Sequence, residues 1–188
     1  YLKGTRDFAL EFRRDPQLPR SHIVPVGYSD ADWAPNYGNT DDNYRSTTGW
    51  LFQIANNTVS WRSRKQTRSA QSSAESEYYA AADAAKEAVH LRRLLRDLGH
   101  SCIHPVEMFV DNQSAIKQSE APVDQEMSRH VDLRSHFLRE QSRLGNIRCS
   151  YVPTADQRAD VFTKNMPAPG FRKLRDRLGV FPRTSSMR

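Results

Sequence analysis

The sequence is poor in the features that mark specialised chains. Its 188 residues include two cysteines, Cys102 and Cys149, too few for a disulfide framework. Free thiols in a reducing compartment are therefore expected. No apolar run approaches the roughly 18 residues that a membrane helix requires. No secretory leader is visible at the start, and a first residue Tyr1 in place of Met is what a piece of a longer protein would show. No Gly-rich phosphate loop and no nucleophile elbow are present, so the common nucleotide-binding and serine-hydrolase signatures are excluded. His100-Ser101-Cys102-Ile103-His104 is too tightly spaced for zinc and has no second ligand pair elsewhere.

What remains is a chain of 37% apolar residues, 10% of all residues being aromatic. The apolar positions recur periodically, which argues for a folded core over disorder. Basic residues outnumber acidic ones, 28 to 22, for a net charge of +6. That balance suits a polyanionic partner without requiring one.

The punctuation of the chain predicts its elements. Ile23 to Trp33 reads as a first strand, followed by a polar loop from Asn36 to Ser46. Gly49–Ala55 and Thr58–Ser63 flank Asn56-Asn57, the pattern of a hairpin with a two-residue turn. Ser72 to Leu98 is the clearest helix, opened by the capping box Ser72-x-x-Glu75 and stopped by Gly99. Val106–Val110 is a strand, Asn112 to Ser119 a short helix, and Met127 to Leu144 a longer one ending at Gly145. Ile147–Val152 is a last strand. A helix capped by Thr154 is predicted as far as Lys164, and a final helical stretch from Phe171 to Leu178. Three strands, then strands alternating with helices, imply an α/β fold with a mixed sheet covered by helices. Trp33, Trp50 and Trp61 fall in strands and read as core.

Four acids stand at the edges of these elements. Asp30 lies in the first strand, Glu77 in the opening turns of the long helix, Asp111 just after Val110, and Asp160 after the last strand. A carboxylate beside apolar strand residues needs a partner or its pKa rises. Several together repel, and a hard divalent cation relieves them, Mg²⁺ or Mn²⁺ sooner than Zn²⁺. Pattern alone leaves two readings open: capping acids, or ligands of shared ions.

The motifs Tyr28–Trp33 (YSDADW), Tyr44–Trp50 (YRSTTGW), Ser60-Trp61, Ser72–Ala80 (SSAESEYYA), Val110–Ile116 (VDNQSAI), Arg129–Glu140 (RHVDLRSHFLRE) and Tyr151–Lys164 (YVPTADQRADVFTK) stand in order along the chain. In this they resemble the ribonuclease H domain of copia-type LTR retrotransposon Pol polyproteins. Tyr1–Thr5 (YLKGT) resembles the end of the preceding reverse transcriptase region. The resemblance covers about residues 1–180 and implies a ribonuclease H-like fold, a five-stranded mixed sheet with three antiparallel strands first and two parallel ones after. It implies an organisation of 1–22 as connection remnant, 23–165 as the ribonuclease H-like domain, and 166–188 as C-terminal helix and tail.

The same resemblance implies an enzyme that cuts the RNA strand of RNA/DNA hybrids during reverse transcription by a two-metal-ion mechanism. Asp30, Glu77, Asp111 and Asp160 would be its catalytic and metal-binding residues, with Mg²⁺ as cofactor and Mn²⁺ able to substitute. Ser29-Asp30-Ala31 is similar to the family's first acid motif, and Glu77-Tyr78-Tyr79-Ala80 to its helix motif. Glu75 is taken by the capping box. Asp32 is read as a supporting or solvated acid, and Asp156 as the first-turn acid four residues before Asp160. Arg62, Arg64, Lys65 and Arg68 lead into the long helix and suit phosphate contact. Ser72 and Ser73 stand where relatives place small residues against the nucleic-acid backbone. Arg92, Arg93 and Arg96 read as a solvated face. Partners would be the hybrid and the reverse transcriptase domain of the same polyprotein, with no membrane. The location implied is cytoplasmic, in virus-like particles, with nuclear access.

One departure stands out. Cellular ribonucleases H carry a mobile His before the last helix, and here the stretch Tyr151–Thr154 has none. His130 and His136 lie earlier and read as surface or capping residues. A catalytically silent nucleic-acid-binding module of the same fold is the alternative, as is a nuclease of this fold that cuts DNA.

Overall fold

In a computed structural model, residues 2–14, 16–17, 23–33, 44–100, 102–121 and 133–183 are described. The elements in chain order are β1 (Phe8–Leu10), β2 (Val26–Asp32), β3 (Thr47–Ile54), β4 (Asn57–Lys65), α1 (Ser73–Asp97), β5 (Val106–Val110), α2 (Gln113–Glu120), α3 (Leu133–Arg143), β6 (Ile147–Tyr151), α4 (Ala168–Arg177) and β7 (Val180–Pro182). Two 3-10 turns, Thr154–Asp156 and Arg158–Phe162, lie between β6 and α4.

The sheet has five strands in the order β4-β3-β2-β5-β6. β2, β3 and β4 form an antiparallel meander, and β5 and β6 add in parallel beyond β2. This is the mixed sheet that the element order implied. β2 is central and covered on both faces, so five consecutive residues from Gly27 to Ala31 are buried. That explains its unbroken pattern where a half-exposed strand would alternate.

One face of the sheet meets α1, α2 and α3. The α1 stripe Ala81, Ala84, Ala85 and Ala88 packs with Tyr78, Trp50, Phe52, Met108 and Leu138 in the main core. Small alanines let the helix lie close to the sheet, and at about 25 cal/mol per Å² the burial of its aromatic and aliphatic neighbours dominates the stability. Tyr28, Leu51, Ala159 and Leu178 make a smaller core on the opposite face, under the second 3-10 turn and the end of α4.

α1 starts as predicted. The Ser72 hydroxyl accepts from Glu75 N at 3.2 Å, and Glu75 accepts in return from Gln71 N at 2.6 Å. Gly99, at φ +83°, ends it. The hairpin turn differs by one residue from the expected Asn56-Asn57. It is Ala55-Asn56, with φ of 49° and 62°, the positive values of a type I′ turn. Asn57 is held in β4 because its side chain clamps the N-terminal segment, accepting from Arg13 N and donating to Arg13 O.

The predicted helix from Thr154 to Lys164 is broken at Gln157. The Gln157 side chain is fully buried, donates to Ser29 O of β2 and accepts from Ala159 N. Meeting those partners holds its backbone extended at ψ 106°, which no α-helix tolerates. The Thr154 hydroxyl goes to Asp111, so it caps nothing.

Trp33 and Trp61 are also corrections. Only Trp50 is core, whereas Trp33 is 46% and Trp61 54% exposed. Trp61 lies on β4, an edge strand, where alternate side chains face solvent. Trp33 lies just past the end of β2. β1 pairs antiparallel with β7, joining residues near the two ends of the chain, a pairing with no local sequence signature. The expected start of α3 at Met127, the loop from Asn36 to Asn43, and His130 lie outside the described residues. Among the described residues no helix is long and apolar enough to cross a membrane.

Candidate active site

The sheet topology brings the acids together. β2 and β5 are adjacent and parallel, so Asp30 near the C-terminal end of β2 and Asp111 just beyond β5 emerge at the same edge. α1 crosses β2 with its first turns over that edge. The Glu77 carboxylate accepts from Ala31 N at 3.1 Å, one residue from Asp30. The second 3-10 turn packs on β2 and β3 and delivers Asp160. Oxygens of Asp30, Asp111 and Asp160 all lie within 4.8 Å of one another. Glu77 stands beside this group, and its Oε2 is buried with no hydrogen-bond partner.

Gly49 makes this approach possible. A Cβ there would lie 2.6 Å from Thr163 Cγ2 and 2.8 Å from Phe162 Cβ. Gly49→Ala should therefore push the Asp160 turn off the sheet, costing about 1–3 kcal/mol as overpacking does. Gly170→Ala on α4, where a Cβ meets nothing within 4 Å, should leave stability unchanged or slightly raised. Thermal melts of the two variants beside the parent check the contrast.

The electrostatics are those of crowded carboxylates. Burial, followed by the Asp30 and Asp111 charges, pushes Glu77 up to about 10. Burial and then Asp30 push Asp160 up to about 6, against the opposing pull of Lys164. Asp111 is raised by burial and by Asp30, with the Thr154 hydroxyl at 3.0 Å working the other way. Asp32, on the same strand face as Asp30, is raised chiefly by burial. Asp156 points elsewhere. It pairs with Arg177 at 2.7 Å and Lys173 at 3.5 Å, fastening the first 3-10 turn to α4.

Sequence reading missed several participants. Lys164 donates to Asp30 at 3.1 Å and Asp160 at 2.9 Å. Thr163 donates to the other Asp30 oxygen. Lys164 is four residues after Asp160, the spacing of a same-face ion pair, and that signal was readable. The Gln157 and Thr154 contacts had no such signal, because both reach across the fold.

The donor set fits a hard divalent cation. It is all carboxylate oxygen, it is largely buried, and one buried oxygen, Glu77 Oε2, accepts no hydrogen bond. No comparable grouping includes His100, Cys102 or His104 among the described residues. The Cys102 thiol donates instead to Ile23 O.

The expected phosphate contacts are partly engaged within the protein. Arg62 pairs with Asp83 at 3.3 Å, and Lys65 donates to Arg45 O. Arg64, Lys65, Arg68 and Lys86 converge on a cavity of about 140 Å³ between β4 and α1. Ser72 is the α1 cap, and Ser73 is exposed at its first turn. Arg92 donates to His104 O.

No family model matches the chain. Among curated proteins, the retrovirus-related Pol polyprotein from transposon RE2 of Arabidopsis thaliana is 35% identical over 180 residues, covering 96% of this chain and 12% of that protein. The corresponding polyprotein from transposon TNT 1-94 of Nicotiana tabacum is 34% identical over 183 residues, covering 96% of this chain and 13% of that protein. The chain thus spans about an eighth of the length of these relatives. Among solved structures, LC11-RNase H1, isolated from compost, superposes with a TM-score of 0.53 at 16% identity, covering 75% of this chain and 93% of that one.

Proposed function

Because this chain belongs with the retrovirus-related Pol polyproteins of copia-type transposons and carries a ribonuclease H fold, we propose that it hydrolyses the RNA strand of RNA/DNA hybrids during reverse transcription. Asp30, Glu77, Asp111 and Asp160 would hold a pair of Mg²⁺ ions, with Mn²⁺ able to replace them. The observation that carries this reading is the convergence of three carboxylates within 4.8 Å beside the orphaned Glu77 oxygen.

Asp30, Glu77, Asp111 and Asp160 would hold such ions, whose chemistry there would be activation of a water and charge stabilisation at the leaving oxygen of a phosphodiester. The chain's own residues do the rest. Asp30 is fully buried and fixed by Lys164 and Thr163, so its carboxylate is oriented before substrate arrives. Thr154 orients Asp111 in the same way. Glu77, Asp30 and Asp160 are shielded from water, which strengthens every interaction they make with a cation or a phosphate.

The basic side chains between β4 and α1 offer the phosphate contacts. Binding of a hybrid should weaken with salt, and Arg64→Ala or Arg68→Ala should each lower the slope of log K against log salt by about 1. Filter-binding titrations between 50 and 200 mM salt, roughly the range over which such contacts are lost, read that slope. An unchanged slope in both variants removes this surface from the account.

The deciding assay is a panel of labelled RNA/DNA hybrid, duplex RNA and duplex DNA with and without Mg²⁺. Mg²⁺-dependent cutting of RNA in the hybrid alone is expected. Cutting of duplex DNA would make the chain a different nuclease of the same fold. Binding of the hybrid with neither cleavage nor Mg²⁺-dependent heat would make it a silent binding module.

A further inference from the structure

The carboxylate cluster already contains a cation of the protein's own. Lys164 Nζ lies 3.1 Å from Asp30 Oδ1 and 2.9 Å from Asp160 Oδ1, bridging two of the three converging acids. Its side chain is one-third exposed, while Asp30 is fully buried and Asp160 nearly so. The ammonium is thus partly open to solvent while the two carboxylates it pairs with are not. Thr163, its chain neighbour, donates to the remaining Asp30 oxygen, so both Asp30 oxygens are engaged from one short segment. Every lone pair spent on Lys164 is one that a divalent ion must win.

We propose that Lys164 is a resident counter-cation that holds Asp30 and Asp160 together in the metal-free protein and must be displaced when divalent ions bind, so that it limits the affinity of the site for them. This rests on the reading of the acids as a divalent-cation site. Lys164 acts through the acids and is a positioning residue. A permanent charge paired to buried carboxylates would hold the cluster together without metal, since unpaired carboxylates at this separation repel. It also implies a trade. The same contact that preorganises Asp30 subtracts from metal binding, because the ammonium and the ion compete for the same oxygens.

The test is calorimetric titration of the whole chain with MnCl₂, comparing the parent with Lys164→Met and Lys164→Gln. Both variants should bind Mn²⁺ at least about tenfold more tightly, which is about 1.4 kcal/mol. Their metal-free melting temperatures should fall below the parent's and recover with Mn²⁺. A merely structural lysine would lower the melting temperature without tightening metal binding. Unchanged or weaker Mn²⁺ binding in the variants, with the parent binding normally, overturns the role of Lys164 and leaves the metal site standing. Absence of Mn²⁺ binding in parent and variants alike overturns both.

A measurement on the unmutated protein guards against variants that do not fold. With ¹⁵N-labelled lysine, the metal-free protein should show a Lys164 ammonium signal protected from exchange, assigned by its loss in Lys164→Met, which moves to the position of exposed lysines when Mg²⁺ saturates the site. A protected signal that stays in place on saturation overturns the proposal.

Discussion

Asp111→Asn should lose at least roughly a thousandfold of Mg²⁺-dependent RNA cleavage, about 4 kcal/mol of barrier, while the fold stays intact. Asp111 is the best of the four acids for this experiment because of where it sits. Asp30 is buried beneath Lys164 and Thr163, so changing it disturbs two partners. Asp111 is only half-buried, lies after β5 and accepts one side-chain hydrogen bond, from Thr154. An Asn there keeps an oxygen for that bond and removes a charge that Asp30 opposes. Stability should therefore hold or rise as activity collapses. The rate is read on labelled hybrid, and the fold by melting curves on the same preparation. Cleavage within a factor of a few of the parent would remove Asp111 from the site.

Glu77→Gln should stabilise the metal-free protein at pH 8 and not at pH 4.5. The sign follows from linkage. Below about 4.5, Glu77 is protonated folded and unfolded alike, and ionisation costs the fold nothing. Above it, the unfolded chain releases the proton while the folded chain, with Glu77 raised to about 10, keeps it. Stability therefore falls as pH rises through that window. Asp160, raised to about 6, adds to the same trend between about 4 and 6. A glutamine side chain cannot ionise, so the variant should gain on the order of 2–4 kcal/mol at pH 8, a rise of roughly 5 °C or more in a domain of this size. Mg²⁺ should narrow the advantage, because the parent offers it one more carboxylate than the variant does. Melts from pH 4.5 to 8.5, with chelator and with Mg²⁺, check all three statements. Parallel curves for parent and variant would mean that Glu77 is ionised without metal.

How much of this was legible beforehand depended on how local each cause was. β5 was readable to the residue, because Val106–Val110 is bounded by Pro105 and Asp111. α1 was readable because its cap, its alanine stripe and its stop signal lie within one segment. The hairpin turn shifted by one residue because Asn57 answers to Arg13, far away in sequence. The stretch after β6 failed as a helix because Gln157 answers to Ser29. Trp61 failed as core because nothing in its own neighbourhood marks β4 as the edge.

The acids show the same division. Their residue types and positions favoured ordinary capping over metal binding, and the family resemblance singled them out. The parallel pairing of β2 with β5 is what places Asp30 and Asp111 at one edge, and only the folded chain displays it. Lys164 was the avoidable miss, since its spacing from Asp160 was in plain view.

Crystals of the chain soaked in MnCl₂ and measured at the manganese absorption edge would address the core of this account without any assay of activity. Anomalous density enclosed by the carboxylates of Asp30, Asp111 and Asp160, within reach of the Glu77 oxygen that accepts no hydrogen bond, is the expected result. Density only elsewhere on the surface, or none, with Glu77 or Asp160 turned from the other two acids, would contradict it.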